Sequence, residues 1–342
     1  MIKDAVVLAG GFGTRLRPLT QGTPKPLLPL GGRPFLETLF ARLAQAGVKR
    51  VVLSAQHQAA KMKRALPGLR RFGLRVELRR EPRPLGTGGG IRYAWPDPAK
   101  PCLVLNGDIL SDLDIRPLLA AHRRSRAVAT LWVIPVEETS AFGVLETGAQ
   151  GRVRRFVEKP RPGETSSRLI NAGLYALQPA VLDAIPVGQA VSVEREVFPE
   201  LLARGLDLRA YAAPKPVYWN DIGTPASYLQ AHLDLLNQRL WGGRGLALRL
   251  WGRQDRRGNL VAPGCRVAAD ALVSQSVLGK GCRIGAGARI EASVLLDRVG
   301  IGAMARVQRA LLGPGVRIGE RSELRPGVVL GPGSRLADDS RA

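Results

Sequence analysis

The stretch from Val277 to Gly302, VLGKGCRIGAGARIEASVLLDRVGIG, decides the architecture of the last third of the chain. Its aliphatic residues Leu278, Ile284, Ile290, Leu295 and Ile301 are spaced by six, six, five and six. The spacing continues outward in both directions. Val261, Leu278, Leu295 and Leu312 form one series, Val267, Ile284, Ile301 and Ile318 a second, and Val273, Ile290, Val307 and Leu324 a third, each stepping by 17. One period sustained over four units marks a solenoid, in which one aliphatic side chain per short strand points into a prism and small residues turn the corners. Gly279, Gly285, Gly302, Gly313 and Gly319 follow these aliphatic positions directly, and Leu330 and Leu336 extend the six-step into a partial fifth coil. Residues 259–336 are therefore expected to form a parallel β-helix.

Upstream of it, residues 239–258 are rich in Arg and Gly around two tryptophans, with Arg239, Gly242, Gly243, Arg244, Gly245, Arg256, Arg257 and Gly258. This composition shift marks a linker, leaving 1–238 as a first domain, and 342 residues suit two domains. The first domain alternates β-branched runs with amphipathic stretches, the pattern of an α/β sheet with covering helices. Strands are expected at Ala5 to Ala9, Arg50 to Ser54, Arg75 to Arg79, Cys102 to Asn106 and Val128 to Val136. One helix is expected where Phe35, Leu36, Leu39, Phe40 and Leu43 share a face before Gly47. Another has Thr224 as N-cap and Pro225 at its first position, and runs through Leu236. Phe142 to Glu158, broken by Gly148 and Gly151, reads as a β-hairpin.

Apolar residues make up 45% and charged residues 23%, which excludes a disordered chain. The longest apolar runs fall short of the ~20 residues of a membrane span. Met1 to Asp4 lead straight into a strand without a cleavable hydrophobic region, so a cytoplasmic protein with no membrane partner is expected. Cys102, Cys265 and Cys282 lack metal-type spacing and read as reduced packing residues. The net charge of +23 is spread along the chain, with 34 basic against 20 acidic residues over 1–242 and 17 against 8 beyond. No basic tail or helix gathers it, so an anionic small substrate is expected rather than a specific nucleic acid.

Chemistry concentrates after the first strand, in Leu8-Ala9-Gly10-Gly11-Phe12-Gly13-Thr14-Arg15-Leu16-Arg17-Pro18-Leu19-Thr20, followed by Pro24-Lys25-Pro26. Glycines after a strand let backbone N–H groups approach phosphate oxygens, and Arg15 and Lys25 add positive charge. A Walker A loop needs Gly-Lys-Ser/Thr, which is absent, and a dinucleotide fingerprint needs a glycine where Leu16 stands. Asp108 and Asp221 each follow a strand-like run, the place where an α/β sheet binds ligands, and are the candidate metal residues. Glu81 reads either as an acceptor for a base or as a surface carboxylate beside Arg79, Arg80 and Arg83. His57, His122 and His232 read as surface or core residues.

The longer string resembles the sugar-1-phosphate nucleotidyltransferases, whose signature is GGxGTRLxPLT followed by PKP. Further similar segments are Pro84 to Gly90, Leu105 to Asp108, Phe142 to Val144, Phe156 to Pro160, Ile170 to Tyr175, Ser192 to Pro199 and Trp219 to Gly223. Within that family the mannose-1-phosphate guanylyltransferases are most similar through Ser192 to Pro199, Tyr218 to Pro225 and the pendant β-helix. Pro34 to Glu37 and Gly86 to Gly90 look more like heptose-1-phosphate guanylyltransferases or uridylyltransferases, and a glucose-1-phosphate thymidylyl- or uridylyltransferase is a further alternative. Base and sugar therefore stay open.

The resemblance implies a mixed, mainly parallel Rossmann-like sheet with helices on both faces, and left-handedness for the β-helix. It implies a nucleoside triphosphate and a sugar 1-phosphate as substrates, with Mg2+ on Asp108 and Asp221. Nucleophilic attack comes from a phosphate that is already an anion, so catalysis consists of alignment and charge neutralisation. Arg15, Lys25 and Lys159 are the expected catalytic residues. Leu8, Ala9, Gly10, Gly11, Gly13, Thr14, Glu81, Gly86 and Thr87 are expected around the nucleotide. Gly143, Glu158, Lys159, Asn171 and Gly173 are expected around the sugar phosphate. β-helices also occur in acyltransferases, but their usual His base is missing, since no His follows His232. A catalytically silent regulatory subunit is the alternative of another class, opposed by the presence of all five of Arg15, Lys25, Asp108, Lys159 and Asp221. The open end of a β-helix needs a cap or partner, so a homo-oligomer is expected.

Overall fold

The computed structural model describes residues 2–69, 72–239 and 253–342. The chain divides into two compact units, one of Met1–Gly11, Leu39–Ile109 and Leu113–Trp219, the other of Phe12–Thr38, Leu110–Asp112 and Asn220–Ala342. Of the expected linker 239–258, residues 240–252 lie outside the described residues.

The first unit is built on a nine-stranded sheet. Its strands are β1 (Asp4–Leu8), β2 (Arg50–Ala55), β3 (Arg75–Arg80), β4 (Cys102–Asn106), β5 (Ala129–Pro135), β6 (Gly143–Thr147), β7 (Val153–Glu158), β8 (Leu169–Leu177) and β9 (Leu208–Ala212). The order β7-β6-β8-β4-β1-β2-β3 carries β5 on β8 and β9 on β5. β4, β1, β2 and β3 run parallel, as do β5 and β9, while β8 is antiparallel to β4 and β5. Ala5, Val6 and Val7 are fully buried, which explains why the central strand reads as a continuous apolar run rather than an alternation. The expected hairpin forms as β6 and β7. β8 and β9 were not among the expected strands; β8 is interrupted between Asn171 and Tyr175 by a register shift, with Gly173 at φ 76°. No helix among the described residues is long and apolar enough to cross a membrane.

Helices Leu36–Gln45 and Pro225–Leu236 lie where the sequence places them. Thr224 and Ser227 form a reciprocal capping box at the start of the second. The helix Gly86–Ala94 opens on four glycines and a threonine, poor helix formers, and close packing is the reason. A Cβ on Gly89 would stand 2.3 Å from the Gln189 carbonyl oxygen, and one on Gly86 2.5 Å from that of Val191.

In the second unit the β-helix strands stack in three parallel sheets, through Leu260–Val261, Arg266–Val267 and Leu272–Ser274 and their repeats. Leu278, Ile284, Ile290, Leu295, Ile301, Val307, Leu312, Ile318 and Leu324 are all buried in one core. The coil-to-coil step of 17 lengthens to 18 at Leu312 to Leu330 and Ile318 to Leu336, where Gly327 at φ 95° adds a residue to the corner. A Cβ at Gly279, Gly285, Gly302, Gly313 or Gly319 would lie 2.4–2.8 Å from backbone of the next coil, so stacking at strand spacing demands glycine there. Corner amides are satisfied by a ladder the aliphatic pattern does not reveal. Asn259 Oδ1 accepts from Ser276 N, Ser276 Oγ from Ser293 N, and Ser293 Oγ from Ala310 N. The last coil also meets residues from early in the sequence: a Cβ on Gly331 would stand 2.9 Å from Pro18 Cβ.

Candidate functional site

The first unit gathers its expected residues along one edge of the sheet. The register sets Leu8 level with Ser54, Asn106 and, through Ser54, Arg79, so β1, β2, β3 and β4 end together. Leu8, Ala9, Gly10 and Gly11 leave β1 at this edge, Glu81 leaves β3, and Asp108 follows β4. β8 runs the opposite way, which brings Asn171 and Gly173 to the same edge. β6 joins through Val144 and Ile170 and adds Gly143, with Glu158 paired across the hairpin and Lys159 next to it.

Glu81 is only 6% exposed, so it is not a surface carboxylate. Its Oε1 accepts from Ser54 Oγ at 2.7 Å and its Oε2 from the Leu85 amide at 3.1 Å. A Cβ on Gly10 would stand 3.2 Å from Oε1, so Glu81 lies directly beside the loop that leaves β1. Gly86 and Thr87 face protein: Thr87 Oγ1 donates to Glu194 Oε2 at 2.6 Å and accepts from the Val193 amide at 2.9 Å.

A Cβ on Gly143 would stand 2.6 Å from Phe156 Cζ and 2.7 Å from Glu158 Oε2, so only glycine fits beside that carboxylate. Burial and then the charge of Glu194 raise the Glu158 carboxyl above its ordinary range, opposed by Lys159 and Arg195. Lys159 is held at φ 54°, an unfavourable region for lysine, and its amide donates to the Phe142 carbonyl at 2.9 Å. Asn171 is fixed at both ends of its amide: Nδ2 donates to the buried Tyr175 hydroxyl at 2.7 Å, and Oδ1 accepts from the Gly173 amide at 3.1 Å. Trp219 Nε1 donates to the Ala172 carbonyl at 3.1 Å and packs edge-on against Phe142, bracing this corner.

Gly13, Thr14, Arg15, Lys25 and Asp221 lie in the second unit. Gly13 is left-handed at φ 61°, and its carbonyl accepts from the Leu16 amide at 3.0 Å and from Thr20 Oγ1 at 2.8 Å. Buried Leu16 and Leu19 anchor the short turns Thr14–Leu16 and Leu19–Gln21, leaving the Arg15 side chain 65% exposed. Asp221 is flanked by two cations, with Arg15 Nη2 at 3.8 Å and Lys25 Nζ at 3.7 Å. Lys25 is only 10% exposed on its side chain, so it is the more firmly placed of the two.

Asp108 and Asp221 are hard oxygen donors. Among the described residues no group of three or more His, Cys, Asp or Glu could hold a metal. That donor set does not suit a closed zinc cage. Each aspartate by itself fits a cation that takes one or two carboxylates and fills its other positions with water and phosphate oxygens, as Mg2+ does. His122 and His232 are buried, His122 against Thr130 and Gln178 and His232 against the Tyr228 carbonyl.

Three residues at these places were not singled out from the sequence. Asn106 Oδ1 is buried with no hydrogen-bond partner among the described residues, and its Nδ2 would be 2.9 Å from a Cβ on Gly173. Gly223 lies between Arg15 and Asp221, where a Cβ would be 2.7 Å from Nη2 and 2.9 Å from Oδ1. Ser54 holds Glu81. Asn106 and Gly223 stand inside quoted motifs, so their place was legible although their role was not; Ser54 had no such signal.

Residues 4–238 match the family model described as nucleotidyl transferase, and residues 256–341 match that of the EIF2B subunit epsilon LbH domain, a left-handed β-helix. The chain is 42% identical over 279 residues to mannose-1-phosphate guanylyltransferase of Mycobacterium tuberculosis (strain ATCC 25618 / H37Rv), covering 81% of this chain and 75% of the relative. It is 34% identical to probable mannose-1-phosphate guanylyltransferase 3 of Oryza sativa subsp. japonica, covering 80% and 72%. Among solved structures, HddC from Yersinia pseudotuberculosis is 28% identical with a TM-score of 0.59, covering 68% of this chain and 100% of that one. The same protein complexed with GMP-PN matches with a TM-score of 0.58.

Proposed function

We propose, from the fact that the chain belongs to the nucleotidyl transferase family, that it transfers a guanylyl group from GTP to mannose 1-phosphate, giving GDP-mannose and pyrophosphate. The observation that carries the substrates is the 42% identity, over 81% of the chain, to a mannose-1-phosphate guanylyltransferase. A guanine base is further supported by a solved relative complexed with GMP-PN.

In this reading an oxygen of the sugar phosphate attacks the α-phosphorus of GTP and pyrophosphate leaves. Lys159 holds the incoming phosphate, and Lys25 neutralises charge across both substrates. Arg15, with an exposed side chain, neutralises the departing β- and γ-phosphates. Glu158, Asn171 and the bare positions Gly143 and Gly173 receive the sugar, with Glu158 accepting from its hydroxyls. Leu8 to Gly11, Gly13 and Thr14 offer backbone to the nucleotide. Glu81 and Thr87 already have protein partners, which suits positioning of the base-facing segment. The family generally uses a divalent metal, and we assign Mg2+ to Asp108 and Asp221, where it would add positive charge to the triphosphate. Asp221 already faces two cations, so this carboxylate takes a divalent ion best when nucleotide phosphates are present.

We place the protein in the cytoplasm and the catalytic region at 1–238, the linker at 239–258 and the β-helix at 259–336, a division in keeping with family matches that end at 238 and begin at 256. Val267 and Leu272 stay 42% and 48% exposed on the first coil, which favours association of copies there, read out by light scattering.

Pyrophosphate release tests the reading, with GTP, dTTP, UTP, ATP and CTP each crossed against mannose-, glucose- and heptose-1-phosphate. An optimum at GTP with mannose 1-phosphate is expected. Another optimum keeps the mechanism and overturns the specificity, and no turnover from folded protein supports a silent regulatory subunit.

A further inference from the structure

Cys265 and Cys282 stand 17 positions apart, the length of one coil, so the β-helix sets them one above the other at the same corner. The strands that follow fix this register. Arg266 pairs with Arg283 and Val267 with Ile284, and the Arg266 amide donates to the Cys282 carbonyl at 2.8 Å. The preceding glycines stack as well, since a Cβ on Gly264 would be 3.8 Å from Gly281 Cα. Both thiols adopt one pose, each donating to the carbonyl 14 positions on: Cys265 Sγ to Gly279 at 3.0 Å, Cys282 Sγ to Leu296 at 3.3 Å. Stacked strands lie about 4.8 Å apart, inside the Cα separation of roughly 4.4–6.8 Å that a disulfide bridges. The next two residues of the same column are the buried Val299 and Val316, so packing at this corner requires no sulfur.

We propose that Cys265 and Cys282 form a redox-modified thiol pair, which a low-molecular-weight disulfide converts to a reversible cross-link between the first and second coils. Access assigns the roles, because Cys265 is half-buried whereas Cys282 is completely covered. The neighbouring Cys282 thiol, with the Cys282 and Gly281 amides, draws the Cys265 thiol below its ordinary value against the effect of burial. The neighbouring Cys265 side chain, followed by burial, pushes the Cys282 thiol up. The Cys265 thiolate attacks one sulfur of the small disulfide and expels the other as a thiolate, leaving a mixed disulfide on Cys265. Cys282 then gives up its proton, and its sulfur attacks Cys265 Sγ and expels the second small thiolate. Two protein thiols are oxidised and one disulfide is reduced to two thiols, so electrons and protons balance. Cys102, buried inside β4 with its thiol pushed up by burial, is the internal control.

The full chain, incubated at pH 7 with glutathione disulfide, quenched in acid and alkylated in denaturant, is analysed by peptide mass spectrometry. A peptide pair linked through Cys265 and Cys282 is expected, with Cys102 alkylated. Cys282→Ser is expected to stop with glutathione on Cys265, and Cys265→Ser to leave Cys282 unmodified in the folded protein. Nucleotidyl transfer by both variants reports that they are folded. The proposal is overturned if the wild-type chain also stops with glutathione on Cys265, or if Cys265 and Cys282 react only at the rate of Cys102.

Discussion

Replacing Gly223 by alanine perturbs the charged cluster with a single methyl. The new carbon would lie 2.7 Å from Arg15 Nη2 and 2.9 Å from Asp221 Oδ1, against about 3.5 Å for a relaxed contact. The guanidinium must retreat by about 0.8 Å and the carboxylate by about 0.6 Å, which opens a pair now separated by 3.8 Å. Gly223 is not in the left-handed region, and the atoms it displaces are ends of side chains, so folding is barely taxed. A stability change below about 1 kcal/mol is expected. Catalysis by alignment is more sensitive, because misplacement by about 1 Å costs up to 100-fold. The variant should lose roughly 10- to 100-fold in kcat/KM, or about 1.4 to 2.7 kcal/mol of transition-state stabilisation. The assay is steady-state pyrophosphate release alongside thermal unfolding. Gly22→Ala, whose nearest neighbour would be Pro332 Cγ at 3.9 Å, serves as a silent control. Full activity in a folded Gly223→Ala protein would refute the role given to the Arg15 and Asp221 geometry.

Gly331→Val drives carbon into Pro18, 2.9 Å from the added Cβ, and should cost about 1–3 kcal/mol together with a measurable fall in kcat; an unchanged rate means the last coil does not brace the signature loop. Burial holds His122 and His232 down to about 4, below an ordinary value of about 6.5. Since the unfolded chain binds these protons first, stability should fall as pH drops from about 6.5 to 4, by about 3 kcal/mol for each residue, and urea unfolding that is flat across this window contradicts their burial. Chelation should stop turnover without lowering Tm, and Mg2+ should raise Tm only with GTP present; a chelated enzyme that keeps its rate removes the metal role from Asp108 and Asp221.

The β-helix was legible because its period repeats: one inward aliphatic residue per face is enough to set register, and Gly279 and its equivalents mark the places where the next coil comes close. The helix at Thr224 was legible from its cap. β8 was missed because Asn171 and Gly173 interrupt it, and that bulge orients both residues at the sheet edge. Gly86 and Thr87 were expected around the nucleotide by resemblance; the packing of Gly86 and Gly89 against the backbone of Val191 and Gln189 is a long-range contact that composition does not encode. Burial of Glu81 depends on Ser54, 27 positions away. The grouping of Phe12–Thr38 with the β-helix rather than with the sheet is likewise a tertiary fact, invisible in local pattern. Cys265 and Cys282 were read as reduced packing residues from their lack of CxxC spacing, although their separation equals the coil repeat.

The most direct test of the central claim is to supply GTP and mannose 1-phosphate labelled with 18O in its phosphate, and to weigh both products. The account predicts GDP-mannose that retains all of the label, with unlabelled pyrophosphate. Label in the pyrophosphate, or no GDP-mannose from folded protein with magnesium, contradicts it.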